Sequence, residues 1–84
     1  MAKLTPEACR AGRALLGWSM RDLMREAGLS SGAVQQVESG RPFFDSTEEK
    51  IVSAFARHSV EITNGEGTGA RLLRAPHAGE RAKN

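Results

Sequence analysis

The stretch from Ser19 to Gly40 constrains this chain more than any other. It reads Ser-Met-Arg-Asp-Leu-Met-Arg-Glu-Ala-Gly-Leu-Ser-Ser-Gly-Ala-Val-Gln-Gln-Val-Glu-Ser-Gly. Leu23, Met24 and Ala27 recur at helical spacing before Gly28, and Ala33, Val34 and Val37 recur after Ser30. Ser19 is placed to cap the first run, with Asp22 three positions on as its reciprocal partner. Gly28 suits the left-handed residue that ends a helix, Leu29 is expected to bury in the turn, and Ser30 caps the second run. Gly40 closes it. Two short helices joined by a tight turn are therefore expected, the second with Ser31, Gln35 and Gln36 on its outer face and Glu38 on the flank of its inner one.

The flanks extend this pattern. Met1 to Leu4 reads as a loose start. Thr5, Pro6 and Glu7 give a cap, a proline at the first helical position and an acid in the first turn. The helix they open is expected to run to about Leu16, with Ala8, Cys9, Gly12, Leu15 and Leu16 on its apolar side, and to end at Gly17. Trp18 is placed to plug the core between helices. Arg41 to Asp45 reads as a loop whose Phe43 and Phe44 fold back on the core. Ser46 is the expected cap of a fourth helix, Thr47 to about His58, burying Ile51, Val52, Ala54 and Phe55. The period then changes from 3.6 to 2: Val60 and Ile62 alternate with Glu61 and Thr63. Asn64 to Thr68 is turn material, and a returning strand over Ala70 to Arg74 places Ala70 and Leu72 on one face. The expected organisation is a helical domain over 1–58, a β-hairpin over 59–74 and a disordered tail over 75–84.

Composition narrows the function classes. Eighty-four residues make one small domain, which buries roughly 60% of its unfolded surface and gains from dimerisation. No apolar run approaches the ~18 residues of a membrane span, and no secretory h-region opens the chain, so the cytosol is the expected compartment. One cysteine, Cys9, excludes an internal disulfide and reads as a small buried hydrophobe. His58 and His77 have no companions at metal-ligand spacing. No nucleophile stands beside a base, and Gly65, Gly67 and Gly69 lie in a hairpin loop rather than a phosphate loop. No enzyme activity, cofactor, metal or small-molecule ligand is therefore expected. Nine of the twelve cations are arginine, the residue suited to phosphate contacts. Residues 1–44 carry a net charge of +2 and 45–63 a net charge of −2, a pattern that suggests one face for a polyanion and another for something else.

Two helices joined by a short glycine-containing turn form a helix-turn-helix, whose second helix enters a DNA major groove. The residues here resemble a particular version of it, the Xre or lambda-repressor-like (Cro/CI-type) family of bacterial and phage regulators. The resemblance rests on Arg13, the pair Asp22-Leu23, the turn Ala27-Gly28-Leu29-Ser30, Val34, and Glu38-Ser39-Gly40-Arg41. The run Arg13-Ala-Leu-Leu-Gly-Trp-Ser19 with Ser59-Val60-Glu61-Ile62 also resembles small members that carry a strand after helix four. Together these cover about 70 of the 84 residues. Met24 replaces a usual alanine, Met20 a frequent glutamine, and Glu48 a leucine whose place Phe43 or Phe44 is expected to take. The fold implied is mainly α, a four-to-five-helix lambda-repressor-like domain with a C-terminal β-hairpin.

The resemblance implies the roles. Gln36 matches a base-reading position and ranks first, with Ser31 and Gly32 at the other base-reading positions and Gln35 beside them. Glutamine contacts adenine bidentately, worth roughly 1–3 kcal/mol of discrimination. Arg21, Arg41, Ser30 and Arg25 are the phosphate candidates, and such contacts orient a protein without reading sequence. The plain alternative for the arginines is a salt bridge to Asp22 or Glu26. Arg13 and Glu38 are implied to pair structurally across helices one and three. The hairpin either packs on helix four of its own chain or joins a second subunit; the favoured reading is a homodimer interface of Val60, Ile62, Ala70 and Leu72 with helix four. The function expected is a sequence-specific transcriptional regulator, a repressor or controller protein binding double-stranded DNA as a homodimer on an inverted repeat. An antitoxin-type or phage switch protein is the nearest alternative. A protein-interaction module without DNA reading, or a DNA-bending excision factor, is the alternative from another class.

Overall fold

A computed structural model describes residues 4–63 and 67–73. The chain is mainly helical and ends in a small antiparallel hairpin. Its order is α1 (Pro6–Leu16), α2 (Met20–Ala27), α3 (Ser31–Glu38), α4 (Asp45–Arg57), β1 (Val60–Thr63) and β2 (Gly69–Leu72). The first three helices start as their sequence dictates. The Thr5, Ser19 and Ser30 side chains accept from the backbone N–H groups of Ala8, Asp22 and Ala33. At α2 the Asp22 carboxylate answers by accepting from the Ser19 N–H at 2.9 Å. Gly17 and Gly28 end α1 and α2 with φ of 68° and 70°, the left-handed conformation that costs glycine nothing.

α4 departs from expectation. It begins at Asp45, one residue before the expected cap Ser46, which is exposed. Phe44 takes the cap position without a side-chain hydrogen bond. Its carbonyl accepts from the N–H groups of Thr47 and Glu48 at 3.0 and 3.2 Å, so the helical ladder starts earlier than Ser46 allows. Phe43 packs on the core as expected, but Phe44 is 77% exposed. Leu15, expected on the apolar side of α1, is also largely exposed. Leu4 is not loose: it is buried, and its N–H donates to the Glu48 carboxylate at 2.6 Å.

Leu23, Val34, Val37, Ile51 and Phe55 fill the core with Leu4, Ala8 and Cys9; each large side chain fully buried contributes about 1.5–3 kcal/mol. Trp18 covers one end, stacked on Phe55 at 5.8 Å between ring centroids and edge-on to His58 at 4.9 Å. The hairpin completes the layer. Val60 pairs with Leu72 and Ile62 with Ala70, both strands pack on α1, and β1 also packs on α4. The second strand starts at Gly69, one residue earlier than expected, and Arg74 and residues 75–84 lie outside the described residues. Val60 and Ile62 are buried within their own chain, so these two side chains do not face a partner as expected. A lone two-stranded hairpin is marginal in water, and this packing is what makes it stable.

Candidate functional site

α3 is eight residues long, and its two faces separate cleanly. Val34 and Val37 are buried, while Ser31, Gly32, Gln35 and Gln36 are exposed. Gly32, Gln35 and Gln36 line a groove of about 530 Å³ together with Arg10, Met20, Glu38, Ser39 and Arg41. The structure thus brings Gln36, Gln35, Gly32 and Arg41 together. Ser30 and Ser31 stand at the exposed start of the same helix, with the Ser30 hydroxyl engaged as its cap. Arg21 is exposed in the first turn of α2. Among the described residues neither Arg21 nor Arg41 forms an ion pair. Arg25 does: its guanidinium donates to Asp22 at 2.9 Å, the plain alternative to a phosphate contact. The Ser19 N–H and then Arg25 hold the Asp22 carboxyl below the ordinary range for aspartate.

The groove rests on a rigid floor. Arg13 of α1 grips Glu38 through two bonds, Nε to Oε2 at 2.7 Å and Nη2 to Oε1 at 2.8 Å. The Cys9 thiol donates to the same Oε2 at 3.1 Å. Burial first, and then the neighbouring carboxylate, push the Cys9 pKa far above its usual value, so the sulfur keeps the proton it donates. Arg13 also donates to the Trp18 carbonyl at 3.2 Å, and Arg10 to the Glu38 carbonyl at 2.7 Å. α1 therefore fixes the last turn of α3, where Gln35 and Gln36 sit. The exit is equally defined. Gly40, at φ 80°, donates to the Val37 carbonyl and Arg41 N–H to the Gln36 carbonyl, which sets Arg41 at the groove's edge.

No protein-family model matches the sequence, and no curated protein matches it.

Electrostatically the groove favours an anion. Glu38 is neutralised by Arg13, leaving Arg10 and Arg41 as the net charge on the lining. α1, α2 and α4 each carry an acid in the first turn, whereas α3 carries none. The positive end of the α3 dipole is thus capped by the neutral Ser30 hydroxyl, with no carboxylate in its first turn. Arg10 is the site residue that sequence reasoning missed; its position three residues before Arg13, on the same face of α1, was the available signal.

A second cluster holds α2 on α4. Arg57 donates to the Glu26 carbonyl at 2.6 Å and His58 Nε2 lies 3.2 Å from the Glu26 carboxylate. Among the described residues no group of His, Cys, Asp or Glu is arranged to hold a metal ion, and no helix is long and apolar enough to cross a membrane. Elsewhere, Val52 and Ala56 of α4 with Val60, Glu61, Ile62 and Leu73 line a smaller hollow of about 310 Å³. Ala70 is half-buried, while Leu72 and Leu73 are exposed beside it.

Proposed function

We propose that the chain is a sequence-specific DNA-binding regulator of the Xre, lambda-repressor-like type, and not an enzyme. In this reading α2, the Gly28–Ser30 turn and α3 form a helix-turn-helix, and α3 enters the major groove of double-stranded DNA. One observation carries it: a rigidly mounted helix presents uncharged hydrogen-bonding side chains outward, flanked by arginines that, among the described residues, no carboxylate neutralises. Uncharged amides can read base edges, and guanidinium groups bind phosphates. Gln36 reads a base, with Gln35 beside it. Ser31 and Gly32 allow close approach or contact through water. Arg21, Arg41 and the newly found Arg10 hold the backbone on either side, while Arg25 is committed to Asp22.

A single α3 reads only a few base pairs, so a homodimer on an inverted repeat completes the site. The exposed Leu72 and Leu73, with Val52 and Ala56 of α4, supply the apolar surface for it, replacing Val60 and Ile62. Occupation of a promoter is the simplest mode of action, in the cytoplasm. Selection of bound fragments from random double-stranded DNA tests all of this. An inverted repeat with half-sites about one helical turn apart is the expected product. Failure to enrich any sequence contradicts the proposal.

A further inference from the structure

Phe44 is the most exposed large apolar side chain among the described residues, at 77%. It also occupies the cap position of α4, where Ser, Thr, Asp or Asn would hydrogen-bond the helix start and Phe does not. Neither solvation nor local stability explains a phenyl ring here. Its backbone is nonetheless well fixed. Pro42 restricts the approach, Phe43 packs on the core, and the Phe44 carbonyl holds the Thr47 and Glu48 N–H groups. The ring therefore projects from a rigid mount. It lines a hollow of about 230 Å³ with Pro42, Phe43 and Gln36, and Gln36 is shared with the groove on α3.

Resting on the DNA-binding reading, we propose that Phe44 determines specificity by packing on the 5-methyl group of a thymine next to the base that Gln36 reads. The thymine methyl is the one apolar group on the major-groove edges of the bases, and phenylalanine is among the side chains that recognise it. Charge selects the base edge over the backbone. Asp45, exposed and next in sequence, repels a phosphate beside the ring, while the exposed Arg41, three residues before it, attracts one. Phe44 thereby adds discrimination against G·C pairs without any hydrogen bond.

The test uses the full chain and the selected operator duplex, with each thymine replaced in turn by deoxyuridine, which removes only the methyl. For the wild type, one position per half-site is expected to lose about fourfold in affinity, the factor for withdrawing one methyl-sized group from water. Phe44→Ala should weaken binding to the unmodified operator by about the same factor and show no deoxyuridine penalty at that position. Gln36→Ala should keep the penalty while relaxing preference at its own base. Unchanged affinity of Phe44→Ala, or an identical deoxyuridine profile in both proteins, overturns the proposal and leaves DNA binding standing. So does a change in the sedimentation of the free protein on Phe44→Ala, which would assign the ring to a contact between copies. A wild-type chain that selects no DNA overturns both readings.

Discussion

Three groups from α1 converge on Glu38: the Arg13 guanidinium on both carboxylate oxygens, the Cys9 thiol on one of them, and Arg10 on its carbonyl. The Glu38 carboxylate is only 9% exposed and Arg13 19%, so removing one partner strands a charge in a poorly solvated place. Arg13→Ala is expected to cost about 3 kcal/mol, the low end for breaking a buried pair. Urea unfolding measures it, and the double variant Arg13→Ala/Glu38→Ala should lose less than the sum of the two single changes. The Arg13–Glu38 pair was legible through the family resemblance. The contributions of Cys9 and Arg10 were not. Each alone reads as a small apolar residue and a solvated cation, and only the approach of α3 gives them a carboxylate and a carbonyl to bond.

At the scale of the elements, the caps and glycine stops of α1, α2 and α3 could be read directly, because capping depends on residues three or four apart. The start of α4 could not. Ser46 is the better cap by type, but the buried Thr47 and the Leu4–Glu48 bond go with a helix that starts two residues earlier, at Asp45. Helix packing adds a constraint at Gly12, where a Cβ would lie 2.7 Å from Phe55 Cζ. Alanine is the better helix former by about 1 kcal/mol. Gly12→Ala is nonetheless expected to destabilise, by about 1–2 kcal/mol, because overpacking outweighs propensity; a lower melting temperature checks it. α2 carries its own pH dependence. Since the Asp22 carboxyl is held below its ordinary range, its contribution is present at neutral pH and is lost as the pH falls through that lowered value. The gap in melting temperature between the wild type and Asp22→Asn should therefore be full at pH 7 and close on strong acidification.

Across the whole molecule, the hairpin shows where sequence reasoning stops. The alternation of Val60 and Ile62 identified the strand, yet left open whether its apolar face meets its own chain or another. That choice depends on the surface left between α1 and α4, which is assembled from residues about forty positions apart and is filled by these two side chains. Packing there leaves Leu72 and Leu73 to the outside, and neither lines the arginine-flanked groove of α3. The sequence-reading role of that groove is the centre of the account, and it separates two kinds of residue. Affinity of Gln36→Ala and Arg41→Ala for the selected operator and its single-base variants, measured across a salt series, tests it most directly. Gln36→Ala should lose discrimination at one position per half-site, by about 1–3 kcal/mol, with the salt dependence unchanged. Arg41→Ala should weaken every sequence alike and make the slope of log K against log salt shallower by about one per subunit. If the two variants behave identically, or if neither differs from the wild type, α3 does not read DNA as described.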